Sequence, residues 1–226
     1  MSCIYLNGKE IFFEKDADNY LNEGCEAEVY IYKDLVLKFY KERSIKTGID
    51  KEMVEYLKLI KTKRYLLPIA SITNEISKFL GYATKFMQHY QTMYSMAFMK
   101  FVDELKLLEE DTLLLSENKV DIDDLTYNNT IYNGSLYITD PGSFILDPKS
   151  ESLSASNLQK LNTYIVEELL ENSLSKPLSR NKKIEIAKDI KQKLASSPYQ
   201  FMSDFLQNEV KESKNVRDCT KRLIKL

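Results

Sequence analysis

His89 is the only histidine in the chain, which removes chemistry built on a His pair or a multi-His metal cage and leaves a Ser-His-Asp relay only if His89 itself serves. Cys3, Cys25 and Cys219 are odd in number and far apart, so they offer neither zinc-ligand spacing nor a disulfide framework. Catalysis in this chain must lean on carboxylates and lysine. Three stretches supply them: Lys38 closes the apolar run Leu35-Val36-Leu37, Asp124 precedes Asn129 across four intervening residues, and Asp140 opens Asp140-Pro141-Gly142. Asp-Xaa4-Asn and Asp-Pro-Gly are each ordinary turn chemistry when they stand alone. In this order, with a strand-borne lysine upstream, they form a set.

These groups need elements to position them. Asn7-Gly8 between the apolar stretches Cys3 to Leu6 and Ile11 to Phe13 is a hairpin signal. Glu28 to Tyr32 and Leu35 to Tyr40 read as strands joined by Lys33-Asp34, and a first helix is expected over Ile49 to Lys61. Apolar runs after Pro68 and from Tyr82 to Met87, interrupted by Gly81, add two strands, giving a mainly β half with five strands expected. Beyond Met87, Phe98, Phe101, Val102, Leu105 and Leu108 recur at helical spacing and predict an amphipathic helix ending near Ser116. Leu158, Leu161, Ile165 and Leu169 predict another, as do Ile184, Ala187, Ile190 and Leu194, with breaks at Pro177 and Pro198. Thr130 to Asp140, turning at Asn133-Gly134, reads as a β insert between helices, and Ser150 to Ser156 as a polar loop.

The bulk composition narrows the classes. The 226 residues are 43% hydrophobic, enough for a real core. A net charge of -2, from 32 basic and 34 acidic residues, gives no global field for nucleic acid or anionic lipid, so neither partner is expected. No apolar stretch approaches the ~20 residues that span a bilayer, and no leader pattern stands at the N-terminus, so a cytoplasmic protein with reduced thiols is expected. The heavy use of Lys, Asn, Ile and Tyr fits an AT-rich bacterial genome or its phage.

Gly24 in the turn Asn22-Glu23-Gly24-Cys25-Glu26, followed by Lys38 on a later strand, resembles the phosphate loop and strand lysine of protein kinases. Ile122-Asp123-Asp124 through Asn129 resembles their catalytic loop, and Asp140-Pro141-Gly142, eleven residues after Asn129, resembles the metal-binding Asp-Phe-Gly element with proline for phenylalanine. The likeness runs from about Tyr20 to Phe144. One loop glycine stands where that family usually has three, Ile122 and Asp123 replace the histidine and arginine of His-Arg-Asp, and no Ala-Pro-Glu element follows. These departures make the chain similar also to compact atypical kinases and to aminoglycoside-type phosphotransferases.

The resemblance implies an α+β fold with a two-lobed kinase-like plan: residues 1–88 as a small antiparallel β lobe with one helix that binds nucleotide, and residues 89–226 as a mainly helical lobe carrying the catalytic loop and the metal-binding β insert. It implies ATP and Mg2+ as ligands and transfer of the γ-phosphate to a hydroxyl, on a protein Ser/Thr or on a small molecule. Lys38 would meet the α and β phosphates, with Glu52 or Glu55, one turn apart on the first helix, holding its ammonium. Gly24 would cover the phosphates, the backbone of Lys85 and Met87 would bond the adenine edge, and Thr84 would be the gatekeeper. Asp124 would be the base or acceptor-orienting group, and Asn129 and Asp140 the oxygen ligands of magnesium. A nucleotide-binding scaffold without transfer is the rival reading. In an unrelated α+β domain Lys38 and Asp140 would stand far apart.

Overall fold

The computed structural model describes residues 2–44, 48–89, 93–147, 152–167, 188, 197, 199–200, 203–204 and 213–223. The helix expected through Ile184 to Leu194 and the breaks at Pro177 and Pro198 lie outside the described residues, apart from Lys188, which is helical. The chain forms two compact units. One comprises Met1–Thr62, Leu66–Gln88 and Thr139–Leu146; the other comprises Lys63–Tyr65, His89–Ile138 and Asp147–Leu226.

The first unit is built on a seven-stranded antiparallel sheet. Its strands are β1 (Ser2–Leu6), β2 (Lys9–Phe13), β3 (Tyr20–Glu23), β4 (Ala27–Tyr32), β5 (Leu35–Tyr40), β6 (Ala70–Thr73) and β7 (Phe79–Lys85), in the spatial order β2-β1-β6-β7-β5-β4-β3. Five strands are expected from the sequence. The two further strands are those of the Asn7-Gly8 hairpin, which joins the main sheet by pairing Tyr5 with Thr73 and Leu6 with Ile72. Asn7 and Gly8 take φ of 49° and 79°, the pair a tight primed turn requires. The Asn7 side chain then stitches the hairpin to its neighbour, donating to Ile69 O and accepting from Ser71 N, each at 3.1 Å.

Alternation along β5 decides where its lysine goes. Leu37 and Phe39 turn into a buried cluster with Ile4, Phe13, Tyr30, Ile72 and Ala83, where Phe13 and Phe39 stack at 5.7 Å between centroids. The period of two therefore sends Lys38 and Tyr40 to the opposite face. Tyr82, directly across from Lys38 on β7, joins them there.

The first helix, α1 (Lys51–Leu57), is shorter than the Ile49 to Lys61 expected. Asp50 caps it by accepting from Met53 N at 2.8 Å. At the other end Leu59 N and Ile60 N bond Tyr56 O and Leu57 O, three residues back, which tightens the last turn and ends the helix. Met53, Val54 and Leu57 form its buried face. A short strand, β11 (Ile145–Leu146), closes the chain's last passage through this unit.

The second unit is organised by α2 (Phe98–Glu117) and α3 (Leu153–Glu167), which pack on one another. All five residues expected to mark the apolar face of α2, from Phe98 to Leu108, are buried. Ser154 to Ser156, expected as loop, form the first turn of α3, because Leu153 is buried and anchors the helix start. Between α2 and α3 run β8 (Val120–Asp121), β9 (Thr130–Tyr132) and β10 (Leu136–Ile138); the last two pair antiparallel, Ile131 opposite Tyr137, as the β insert expected there. Glu104, 3% exposed on α2, accepts from the Nε and Nη2 of Arg64 and from Leu136 N, fixing the insert to the helix. A final helix, α4 (Val216–Leu223), buries Val216, Cys219 and Thr220.

Among the described residues no helix is long and apolar enough to cross a membrane.

Candidate functional site

Lys38 and Asp140, 102 residues apart in sequence, form an ion pair between Nζ and Oδ1 inside the sheet unit. The lysine side chain is only 11% exposed, so it is no snorkelling surface lysine. Its ammonium also lies 5.7 Å from the Tyr82 ring centroid and 5.9 Å from that of Tyr40. Tyr82 Oη donates to the same Asp140 oxygen at 2.9 Å, and Gly142 N adds a 3.3 Å bond. Burial, reinforced by the Asp140 charge, pushes both tyrosine hydroxyls well up from their ordinary range, which keeps them protonated and Tyr82 a donor. Asp140 Oδ2 receives no donor among the described residues.

The local chain explains why Asp140 stands this way. Asp140 takes a left-handed conformation, φ 56°, which Asp tolerates better than most residues, and caps the tight turn Pro141–Ser143. Gly142 leaves the pair room: a Cβ there would lie 3.0 Å from both Asp140 Oδ1 and Lys38 Nζ, close enough that one of them would have to shift. The glycine of the Asp-Pro-Gly stretch is thus explained by the ion pair it makes room for.

Neither glutamate on α1 pairs with Lys38. Glu55 is taken by Lys58 and, at 3.0 Å, by Ser71 Oγ on β6, and the nearby Lys58 holds its carboxyl below the usual range. Glu52 lies exposed on the first turn. The lysine's carboxylate partner in this structure is Asp140.

Gly24 lies exposed in the β3–β4 turn, where its N bonds Ala27 O at 2.9 Å and its O accepts from Lys41 Nζ at 2.9 Å. A Cβ on Gly24 would meet nothing closer than Ala27 O at 4.0 Å, so the chain's own packing does not demand glycine there. Thr84 and Lys85 end β7, and Phe86 N bonds Asp34 O at 2.8 Å. Met87 follows the strand, and among the described residues its backbone N–H and C=O make no hydrogen bond.

The helical unit holds the second group. Asp124 is exposed with φ 53°, and Asn129 Nδ2 donates to its backbone O at 2.9 Å and to its Oδ2 at 3.0 Å. The five-residue spacing thus closes a small ring in which Asn129 fixes the Asp124 carboxylate. Its amide oxygen stays available as a ligand. Ile122, standing where the kinase pattern has histidine, is fully buried, as a packing residue should be.

Sequence reading missed Asn157. This fully buried residue of α3 accepts from Ile122 N at 3.1 Å and donates to Val120 O and Ser116 Oγ, both at 2.9 Å. It braces the start of the loop that bears Asp124, and its only sequence signal is a polar residue at a core-facing position of α3. Asn157→Ala strands the Ile122 N–H and the Val120 carbonyl in the core and is expected to cost about 2–3 kcal/mol, read as a lower urea midpoint at unchanged m-value. His89 accepts from Tyr132 N through Nδ1 at 3.2 Å and so steadies β9.

Among the described residues no group of three or more His, Cys, Asp or Glu side chains is assembled around a common point. A metal held here would have to take part of its shell from a ligand, as Mg2+ does when one or two protein oxygens share it with phosphates. Asp140 Oδ2 in the sheet unit and the Asn129 amide oxygen in the helical unit are each an oxygen donor of the kind such a metal takes.

No protein-family model matches the chain, and no curated protein sequence matches it. Solved structures do. The autoinhibited serine kinase domain of the giant muscle protein titin superposes with a TM-score of 0.53 at 13% identity, covering 92% of this chain and 74% of that one. At that identity the likeness speaks for the fold. The chain has a protein-kinase-like α+β fold, with an antiparallel sheet unit and a helical unit.

Proposed function

We propose that this chain is an ATP- and Mg2+-dependent phosphotransferase that moves the γ-phosphate to a hydroxyl acceptor. The observation that carries the reading is the ion pair of a largely buried Lys38 with the part-exposed Asp140, drawn from opposite ends of a 102-residue span. A structural lysine has no need of a carboxylate held in a left-handed turn beside a glycine whose missing side chain leaves the pair room. A nucleotide site does, because a cation for phosphates and an oxygen for a metal must be kept close together and ready to separate.

In this reading Lys38 turns from Asp140 to the α and β phosphates, and the released Asp140 and Asn129 supply oxygen ligands for magnesium. Bound magnesium would neutralise charge on the β and γ phosphates. Gly24 lets the β3–β4 turn lie close over the nucleotide, and the backbone of Met87, with that of Lys85, reads the adenine edge. Asp124, fixed through Asn129, accepts a hydrogen bond from the acceptor hydroxyl and orients it. The structural likeness to a serine kinase puts a protein Ser/Thr first as acceptor, with a small-molecule hydroxyl as the alternative. The scattered thiols fit a reducing, cytoplasmic setting.

A scaffold that binds nucleotide without transferring phosphate is favoured by one observation, that among the described residues no glutamate pairs with Lys38. A thermal-shift titration separates ligand binding from its absence. At about 100 times its Kd, Mg-ATP should add about 2.7 kcal/mol of apparent stability, with a smaller rise for ATP in EDTA. No shift under either condition rejects the nucleotide site.

A further inference from the structure

The loop that carries Asp124 is clasped by one stripe of α3. Asn157, Lys160 and Tyr164 follow one another at three and four residues, the spacing that places side chains on a single helix face. Asn157 braces the loop's start. Tyr164 Oη shares a 2.8 Å bond with Thr130 Oγ1 at its end. Lys160 Nζ donates at 2.8 Å to both Asp121 Oδ1 and Ile122 O, just before Asp124.

An ammonium has three N–H donors. Asp121 and Ile122 take two, and among the described residues nothing takes the third. Lys160 also lines an open groove of about 440 Å3 together with Asp123, Asp124, Leu125, Thr163 and Tyr164, and its side chain is 33% exposed. It is the one cation among the described residues of that groove, and two carboxylates face it there. Those carboxylates alone would repel the charge on a phosphoryl group arriving beside Asp124. A cation whose position is set by two hydrogen bonds, with one donor left, answers that repulsion at no reorganisation cost.

We propose that Lys160 is a catalytic residue that binds the phosphoryl group during transfer, brought to the reaction by α3 and not by the loop itself. The proposal rests on the phosphotransferase reading above. In the step it serves, the acceptor oxygen forms a bond to the γ-phosphorus while the bond from that phosphorus to the bridging oxygen breaks. The electron pair leaves on ADP, and the acceptor's proton passes to Asp124. Lys160 holds one of the three phosphoryl oxygens throughout.

The test is hydrolysis of Mg-ATP by the full chain with water as acceptor, followed by 31P NMR, for the wild type, Lys160→Met and Lys160→Arg. Lys160→Met should lower kcat by about 10²–10³-fold, as loss of one fixed transition-state donor does, with KM for ATP within about twofold of wild type. Lys160→Arg should recover at least about a tenth of the rate, because a guanidinium also keeps a cation there. Hydrogen exchange at the Ile122 amide, bonded to Asn157, should stay at its wild-type rate in both variants. A kcat for Lys160→Met within about threefold of wild type overturns the proposal. So does a loss of kcat matched by faster exchange at Ile122, which reduces Lys160 to a tie for the loop. A wild-type protein that binds Mg-ATP but never turns it over overturns the phosphotransferase reading itself, and the assignment of Lys160 with it.

Discussion

Asp140→Asn is expected to lower Mg-ATP turnover by about 10³-fold or more while leaving the fold intact, because it removes the proposed metal ligand and the charge opposite Lys38 together. The substitution is nearly isosteric. Asn can still accept from Tyr82 Oη and from Gly142 N, the two neutral donors that hold Asp140 in place. What changes is the charge: Lys38, with 11% of its side chain exposed, loses its anion and gains freedom to meet phosphates. The variant should therefore bind ATP without metal at least as well as the wild type does, and lose the further stabilisation that magnesium gives. A thermal-shift titration with ATP, with and without Mg2+, run beside the turnover assay reads both parts. Retention of the full magnesium effect in Asp140→Asn would remove Asp140 from the metal site. Asp140→Ala is the less informative change, since it leaves a largely buried ammonium and the Tyr82 hydroxyl both short of an acceptor, and instability would then cloud any loss of activity.

What the sequence made legible follows from periodicity and from turn chemistry. The residues of α2 declare a buried face at helical spacing, and Asn7-Gly8 and Asn133-Gly134 each mark a hairpin that forms. The Asp-Xaa4-Asn pairing was legible because its contact is local: Asn129 reaches back to Asp124 within the same loop. The partner of Lys38 was not legible. Helix spacing offered Glu52 and Glu55, and nothing in a local pattern shows that Lys58 and Ser71 take Glu55 or that Asp140 arrives from far down the chain. Tyr82 and Tyr40 were hidden for a related reason. Aromatic residues in strands read as core, and only the register that sets Tyr82 across from Lys38 reveals that the hydroxyl works on a carboxylate. The α3 stripe of Asn157, Lys160 and Tyr164 was masked by the apolar residues interleaved with it, since both sets repeat at the same spacing.

Gly81→Ala is expected to cost about 3–5 kcal/mol, a large share of the roughly 5–15 kcal/mol that holds an ordinary domain together. Gly81 has φ +151°, which side-chain-bearing residues rarely adopt, and a Cβ there would stand 2.0 Å from the carbonyl oxygen of Lys38 and 3.2 Å from Phe39 Cα. Both obstacles are backbone, so no rotamer change relieves them. β5 and β7 pair here, Phe39 with Gly81 and Lys38 with Tyr82, and separating them would break the aromatic cluster on one face and displace Lys38 on the other. Stability and the candidate site should fail together, with a lower denaturation midpoint and a lost Mg-ATP shift. Gly24→Ala supplies the contrast. Its Cβ meets only Ala27 O at 4.0 Å, an ordinary contact, so stability should stay within about 0.5 kcal/mol of wild type, as for a surface change away from special features. Weaker Mg-ATP binding in Gly24→Ala would then come from the ligand's close approach and not from the fold. If Gly81→Ala instead melts with the wild type, the strands can part at Lys38 without penalty, and its register with Tyr82 cannot be what aims the lysine at Asp140.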